Sequence, residues 1–250
     1  LADVDAAGLD KAADEARALG ADTLAVRTDV ADAEANHALL DATVDRFGQA
    51  NVVCLNAGVT GSVGRSWTLT EQDWRWSLGI LLDGVIFGIR AFVGHLVEHG
   101  DGHVVITASV VGHIAAPFSA PYAAAKHAVV ALAESLELEL RAERSPVGVT
   151  CLCPGFVDTA IVTSAQARPT GGPGATKDER GDRWLALSAR ALSTGMAPDA
   201  VAELVHDAVL SQQFWLFTDD AWDAAIAARA EGILQRRAPV AGLPTDLRRA

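Results

Sequence analysis

Apolar runs of five or six residues recur along this chain, each separated from the next by a helical pattern, and that alternation leaves few folds open. Residues 23–28, 51–55, 103–107, 147–152 and 214–218 read as strands. Residues 6–19, 34–47, 71–99, 120–143, 198–210 and 222–234 carry helical periodicity, and Gly20 and Gly48 supply stops for the first two. Strands that alternate with helices imply a parallel sheet covered on both faces. The expected architecture is a single-domain, doubly wound α/β fold of the Rossmann type. A chain of 250 residues, 50% of them hydrophobic, has the material for such a core. In sheets of this kind ligands bind outside the carboxyl ends of the strands. The residues that follow the apolar runs therefore carry the functional question: Asp3, Asp29, Asn56, Ser109 and Pro154.

Charge narrows the classes of function. A net charge of -12 opposes a nucleic-acid role, because phosphate binding needs a basic face and only Arg236-Arg237 and Arg248-Arg249 form basic pairs. There is no run of eighteen apolar residues and no basic-then-apolar start, so neither a membrane span nor secretion is indicated, and a cytoplasmic location is expected. Three cysteines cannot all pair. Cys54, Cys151 and Cys153 lie in apolar runs and read as buried free thiols; the last two can share one face of a strand, but no Cys/His pair completes a metal site. Pro169, Gly171, Gly172, Pro173 and Gly174 break the pattern, so residues 160–196 are expected to form a mobile substrate lid.

Tyr122 is the only tyrosine, and Lys126, one of three lysines, stands four residues later. On a helix that spacing puts both on one face. A phenol titrates near 10, and an ammonium beside it favours the phenolate, bringing the group toward the pH at which it can exchange a proton with an alcohol. Ser109 ends a strand thirteen residues before Tyr122, on the ligand edge. The plainer alternatives are that Tyr122 covers a helix start, that Lys126 is solvated, and that Ser109 is a turn hydroxyl.

Ser109 followed by Tyr122-Ala123-Ala124-Ala125-Lys126 resembles the Ser and Tyr-x-x-x-Lys signature of the short-chain dehydrogenase/reductase family. Further segments match in order. Asn56-Ala57-Gly58 resembles the family's Asn-Asn-Ala-Gly, with Leu55 in place of the first Asn; Asp29-Val30 resembles its adenine-contacting pair; Pro154-Gly155-Phe156-Val157-Asp158-Thr159 resembles the segment that holds the nicotinamide carboxamide. The resemblance implies that Tyr122 exchanges the proton, Ser109 polarises the substrate oxygen, and Lys126 lowers the Tyr122 pKa and binds the nicotinamide ribose. Asn56, Ala57, Gly58, Pro154, Gly155, Val157 and Thr159 would line the cofactor. Asp3, after the apolar Leu1-Ala2, would accept from the adenosine ribose hydroxyls, which favours NAD over NADP. The substrate would be a small alcohol or ketone, with Val110, Val111, Trp184 and Met196 suggesting an apolar one. A homo-oligomer, dimer or tetramer, would form through the helices 71–99 and 120–143.

Two departures stand out. The chain opens on what looks like the end of the second strand and lacks the Gly-rich phosphate loop, so about forty upstream residues, one strand-helix-strand unit, are expected in the natural protein. Leu81 occupies a position where the family usually has an Asn that helps to hold a water, and leucine cannot hydrogen-bond it. Two rival readings follow: a member of the fold that kept nucleotide binding and lost catalysis, and a zinc hydrolase built on His95-Leu96-Val97-Glu98-His99, which matches a His-x-x-Glu-His pattern.

Overall fold

A computed structural model describes residues 1–167 and 178–242. It begins with β1 (Ala2–Asp3), α1 (Ala6–Ala18), β2 (Val26–Arg27), α2 (Ala33–Phe47) and β3 (Val52–Leu55). Next come α3 (Glu71–Leu78), a π-helical turn (Gly79–Asp83), α4 (Gly84–His99), β4 (His103–Thr107), α5 (Ala120–Ala142) and β5 (Gly148–Cys153). The described chain finishes with α6 (Glu179–Leu192), α7 (Pro198–Ser211), β6 (Trp215–Phe217) and α8 (Asp223–Leu234).

All strand pairs are parallel, as the alternation requires. They form a four-stranded sheet in the order β3-β4-β5-β6 and a separate pair, β1-β2. Strand alternation assigns the two faces of the larger sheet. Val104, Ile106, Cys151 and Cys153 turn toward α4 and α5, in a core that holds Val85, Phe92, Leu96, Val129, Ala133 and Leu136. Val105 and Leu152 turn the other way, onto Val201, Leu204, Val205 and Ala208 of α7. Each such side chain, fully buried, contributes about 1.5–3 kcal/mol relative to exposure. The register sets Leu55 beside Ile106, Thr107 beside Leu152 and Cys153 beside Phe217, so the strands end together and their following loops converge.

Several expectations change. The strand at 23–28 shrinks to Val26–Arg27, whose only partner among the described residues is β1. Cys54 is exposed, because Val53 and Leu55 take the core side of β3 and leave Cys54 on the other face with Val52. The helix at 71–99 is continuous but carries the π turn in its middle. It starts at a capping box in which the Thr70 hydroxyl accepts from Asp73 N–H at 3.2 Å and the Asp73 carboxylate accepts from Thr70 N–H at 2.9 Å. By length and apolar composition this helix could cross a membrane; here Val85, Phe92 and Leu96 pack into the core. The expected mobile lid is largely helical where it is described: a 3-10 helix over Ala160–Ala167, then α6, capped by Asp178. Pro169, Gly171, Gly172, Pro173 and Gly174, which carried the mobile reading, lie outside the described residues.

Candidate active site

The carboxyl end of β4 runs into Ala108 and Ser109, and Ser109 lies in fully extended backbone before a short 3-10 turn, Val110–Gly112. Its Oγ accepts from Val111 N–H at 3.1 Å, which fixes the rotamer and leaves the hydroxyl proton free to be donated. α5 brings the phenol to that hydroxyl. Pro121 sits in its first turn, where a missing N–H costs nothing, and Tyr122 and Lys126 follow on its inward face. There the half-buried Tyr122 stands beside Ser109. Burial pushes the Tyr122 phenol above its ordinary value of 10.0, and the neighbouring Ser109 hydroxyl offsets only part of that rise. Lowering by Lys126, the expected effect, is not what dominates here: the ammonium stands 5.7 Å from the ring centroid.

Lys126 is buried to 4% exposure. Its Nζ donates to the Thr107 carbonyl at 2.7 Å. Burial lowers its pKa from 10.5 to about 8, against the pull of the nearby Cys151 and Cys153 sulfurs, so the group is a cation at neutral pH. Thr107, invisible to motif reading because its contribution is a backbone oxygen, also donates its hydroxyl to Asn56 Oδ1 at 3.0 Å. That bond ties the loop after β3 to the catalytic strand. Leu81, in the π turn, is fully buried against Val59 and Ala125 and beside Tyr122, so the place of the family Asn is sealed by hydrocarbon.

The remaining expected residues gather on the same edge. Asp29 Oδ1 accepts from Ala31 N–H at 3.0 Å, and the Val30 carbonyl accepts from Asn36 Nδ2 at 3.0 Å. Val30 also packs on Gly84, where an added Cβ would come within 2.8 Å of its methyl. Ala57 and Gly58 follow Asn56, and a Cβ on Gly58 would touch Leu81 at 3.5 Å. The Pro154 carbonyl accepts from Val110 N–H at 3.0 Å, and Gly155 N–H donates to Thr218 Oγ1 at 3.0 Å. Gly155 is boxed in by Asp219 and Trp222, 2.5 and 2.6 Å from where a Cβ would stand. Val157 bridges to Met196, and Thr159 is exposed. Val110, considered for an apolar pocket, belongs instead to the core with Ile114 and Trp222.

Asp3 ends β1 with an exposed carboxylate that accepts from Asp5 N–H at 2.9 Å, while Asp5 caps α1. The register sets Arg27 directly beside Asp3, and Arg27 Nε donates to the Val4 carbonyl at 3.2 Å. This neighbour was missed because cross-strand register is not written in the sequence. His95 and His99 lie at the other end of the sheet, where α4 runs out before β4 begins. His95 Nε2 accepts from Ala50 N–H at 3.1 Å, and His99 Nδ1 meets the His95 carbonyl at 2.8 Å. The His-x-x-Glu-His match is thus a helix end tied to backbone, and among the described residues no third ligand joins it.

A parallel α/β sheet that delivers a serine, a tyrosine and a buried lysine to one point on its carboxyl edge is the framework of a dinucleotide-dependent oxidoreductase. The chain belongs to the short-chain dehydrogenase/reductase family, whose model, described as short chain dehydrogenase, matches residues 1–170, and it is an NAD(P)-dependent enzyme of that family. It is 36% identical over 231 residues to 1-deoxy-11-beta-hydroxypentalenate dehydrogenase of Streptomyces exfoliatus, covering 92% of this chain and 76% of that one. C alpha-dehydrogenase of a Sphingobium species is 27% identical over 251 residues, 99% of this chain and 81% of that one. The crystal structure of a short chain dehydrogenase/reductase from Burkholderia phymatum, in complex with NAD, superposes with a TM-score of 0.93 at 35% identity, covering 97% of this chain and 87% of that one.

Proposed function

We propose that the protein interconverts an alcohol and its ketone with NAD(H), Tyr122 serving as the general acid/base. The observation that carries this reading is the Tyr122 phenol set beside Ser109 at the end of β4, with the buried Lys126 ammonium 5.7 Å from its ring centroid. In the reductive direction Tyr122, held protonated by burial, gives its proton to the substrate oxygen as negative charge develops there. Ser109, whose Oγ already accepts from Val111, donates a second hydrogen bond to the same oxygen. Lys126, anchored on the Thr107 carbonyl, stabilises the phenolate that remains. Oxidation runs through the same groups in reverse.

The residues present fit a dinucleotide along this edge. Lys126 has N–H donors for a ribose, and by the family resemblance Asn56-Ala57-Gly58, Val30 and Asp29, with Pro154, Gly155, Val157 and Thr159 after β5, would line the dinucleotide. When bound, nicotinamide supplies or accepts the hydride. NAD is favoured over NADP because the Asp3 carboxylate would repel a 2′-phosphate, and a structural relative was crystallised with NAD; Arg27 beside Asp3 pulls the other way. The two dehydrogenase relatives, one named for a hydroxy compound, support an alcohol as substrate.

A panel of secondary alcohols and ketones read at the nicotinamide absorbance tests the reaction. Turnover with at least one pair is expected; none with either cofactor favours a member of the fold that has lost catalysis. A higher kcat/KM with NADP than with NAD would falsify the assignment to Asp3. We further propose a cytoplasmic homo-oligomer joined through the long helix 71–99 and α5, whose surfaces expose Val97 and Leu138. Sedimentation as a monomer at micromolar concentration would count against it.

A further inference from the structure

Asp178 is a buried carboxylate, with a side chain only 2% exposed. Its Oδ1 accepts from Arg180 N–H at 2.9 Å and Gly181 N–H at 3.4 Å, which caps α6. A cap needs no more than that. Its Oδ2, however, accepts from Arg65 N–H at 3.1 Å and from the Arg65 guanidinium at 3.2 Å, a residue 113 positions away in sequence.

The surfaces around this clasp are shaped for it. A Cβ on Gly181 would lie 2.9 Å from the Val63 and Gly64 backbone, and one on Gly64 would lie 3.2 Å from Asp178 Cβ. Gly64, at φ +145, has a conformation that L side chains rarely adopt, and its N–H donates to the Phe118 carbonyl at 2.8 Å. Phe118 itself sits at φ +63, a strained setting for an aromatic residue, with the Arg180 guanidinium 5.8 Å from its ring. Four residues further on is Tyr122. The same loop holds the other flank of residues 160–196, since Thr60 N–H donates to Ser164 Oγ at 3.2 Å. Residues 60–65 thus connect the segment after Asn56-Ala57-Gly58 to the 3-10 helix at Ser164, to the start of α6 and to the approach to Tyr122.

We infer that Asp178 and Arg65 are positioning residues for the alcohol or ketone, their ion pair holding α6 over the carboxyl edge and steadying the Phe118-Ser119 approach to Tyr122. The inference rests on the reaction proposed above. Arg65 is partly exposed, and the buried Asp178 carboxylate keeps three backbone N–H donors without the guanidinium, so Arg65→Gln is expected to act on the substrate face more than on folding.

The test compares Asp178→Asn, which keeps a capping oxygen but loses the charge, with Arg65→Gln and the double variant. Contacting groups couple strongly enough that the KM for the alcohol should rise about tenfold in each single variant. The double variant should be no worse than either, while kcat and the KM for NAD stay within a factor of about two. Amide hydrogen exchange at Arg65, Arg180 and Gly181, which needs no turnover, should quicken in Asp178→Asn. An unchanged alcohol KM, or equal rises in the KM values for alcohol and NAD, overturns the positioning role. Unaltered exchange at the three amides overturns the clasp itself. Absence of turnover in the unmodified protein refutes the reaction instead, and the exchange rates distinguish that failure from this one.

Discussion

α5 has one inward stripe and two kinds of residue on it. Tyr122, Lys126, Val129, Ala133, Leu136 and Leu140 recur at spacings of three and four, so they share a face. From Val129 onward that face is hydrocarbon packed into the main core. One turn earlier it holds a phenol and an ammonium. Burying Leu136 stabilises the fold by removing apolar surface from water; burying Lys126 and Tyr122 costs free energy, visible as the lowered pKa of one and the raised pKa of the other. The polar end keeps its place through the Lys126 bond to the Thr107 carbonyl. The stripe turns from stabilising to reactive where α5 meets the ends of the strands.

Tyr122→Phe should separate the two halves most widely. Losing the proton donor is expected to cut turnover by about 10²-fold or more while leaving folding stability and NAD affinity near normal. Turnover within a few fold of the unmodified enzyme would place Tyr122 with the packing residues. Leu136→Ala should do the reverse, lowering stability by about 2–5 kcal/mol in denaturant titration, with specific activity retained by the folded fraction. If activity per folded molecule fell with it, the halves of the helix would not be separable.

Lys126→Met examines the cost of the buried cation. The unfolded chain holds this proton up to about 10.4, the folded chain only to about 8. Between those values the unfolded state binds more protons, so stability rises with pH, by about 3 kcal/mol across the window. The Met variant should flatten that rise, and an unchanged slope would mean that Lys126 is not the group responsible. The smallest effect is expected at the opposite end of β4. His103 is buried with Nε2 2.8 Å from Thr150 Oγ1, whose hydroxyl donates to the Gln213 carbonyl, so His103 carries its proton on Nε2. Burial lowers its pKa below 6.5, and stability should therefore fall as pH drops below that value. His103→Asn should lessen the acid-side slope relative to its own neutral-pH stability; an identical slope would exclude His103 as its source.

Much of this was legible beforehand because burial itself writes the pattern. The α5 and β4 bounds follow from periodicity to within a residue, and Ser109 after β4 and Tyr122 in the first turn of α5 stand where those bounds put them. Other features leave no local trace. Thr107 contributes a backbone oxygen, Arg27 reaches Asp3 only through strand register, and Arg65 meets Asp178 across the fold. The helices within 160–196 went unseen for a different reason: Pro169 and Gly171 dominated the composition, whereas the Asp178 cap and the Trp184, Leu185 and Leu192 pattern of α6 were present and outweighed.

The π turn at Gly79–Asp83 gives the long helix an odd accounting of residues. Gly84 N–H reaches back five positions to the Gly79 carbonyl, one more than an α-helix uses. The turn therefore lets α3 bury Asp73 and Ser77 against the loop at Ser62, while α4 buries Val85, Phe92 and Leu96 against the sheet. Each residue advances a helix by about 100°. Deleting a single one between 79 and 83 would swing Gly84 and Gly88 away from Val30 and Leu55, which they now admit at close range. Leu81 can differ from its relatives in kind, but the number of residues around it is fixed by two faces that must both land in register.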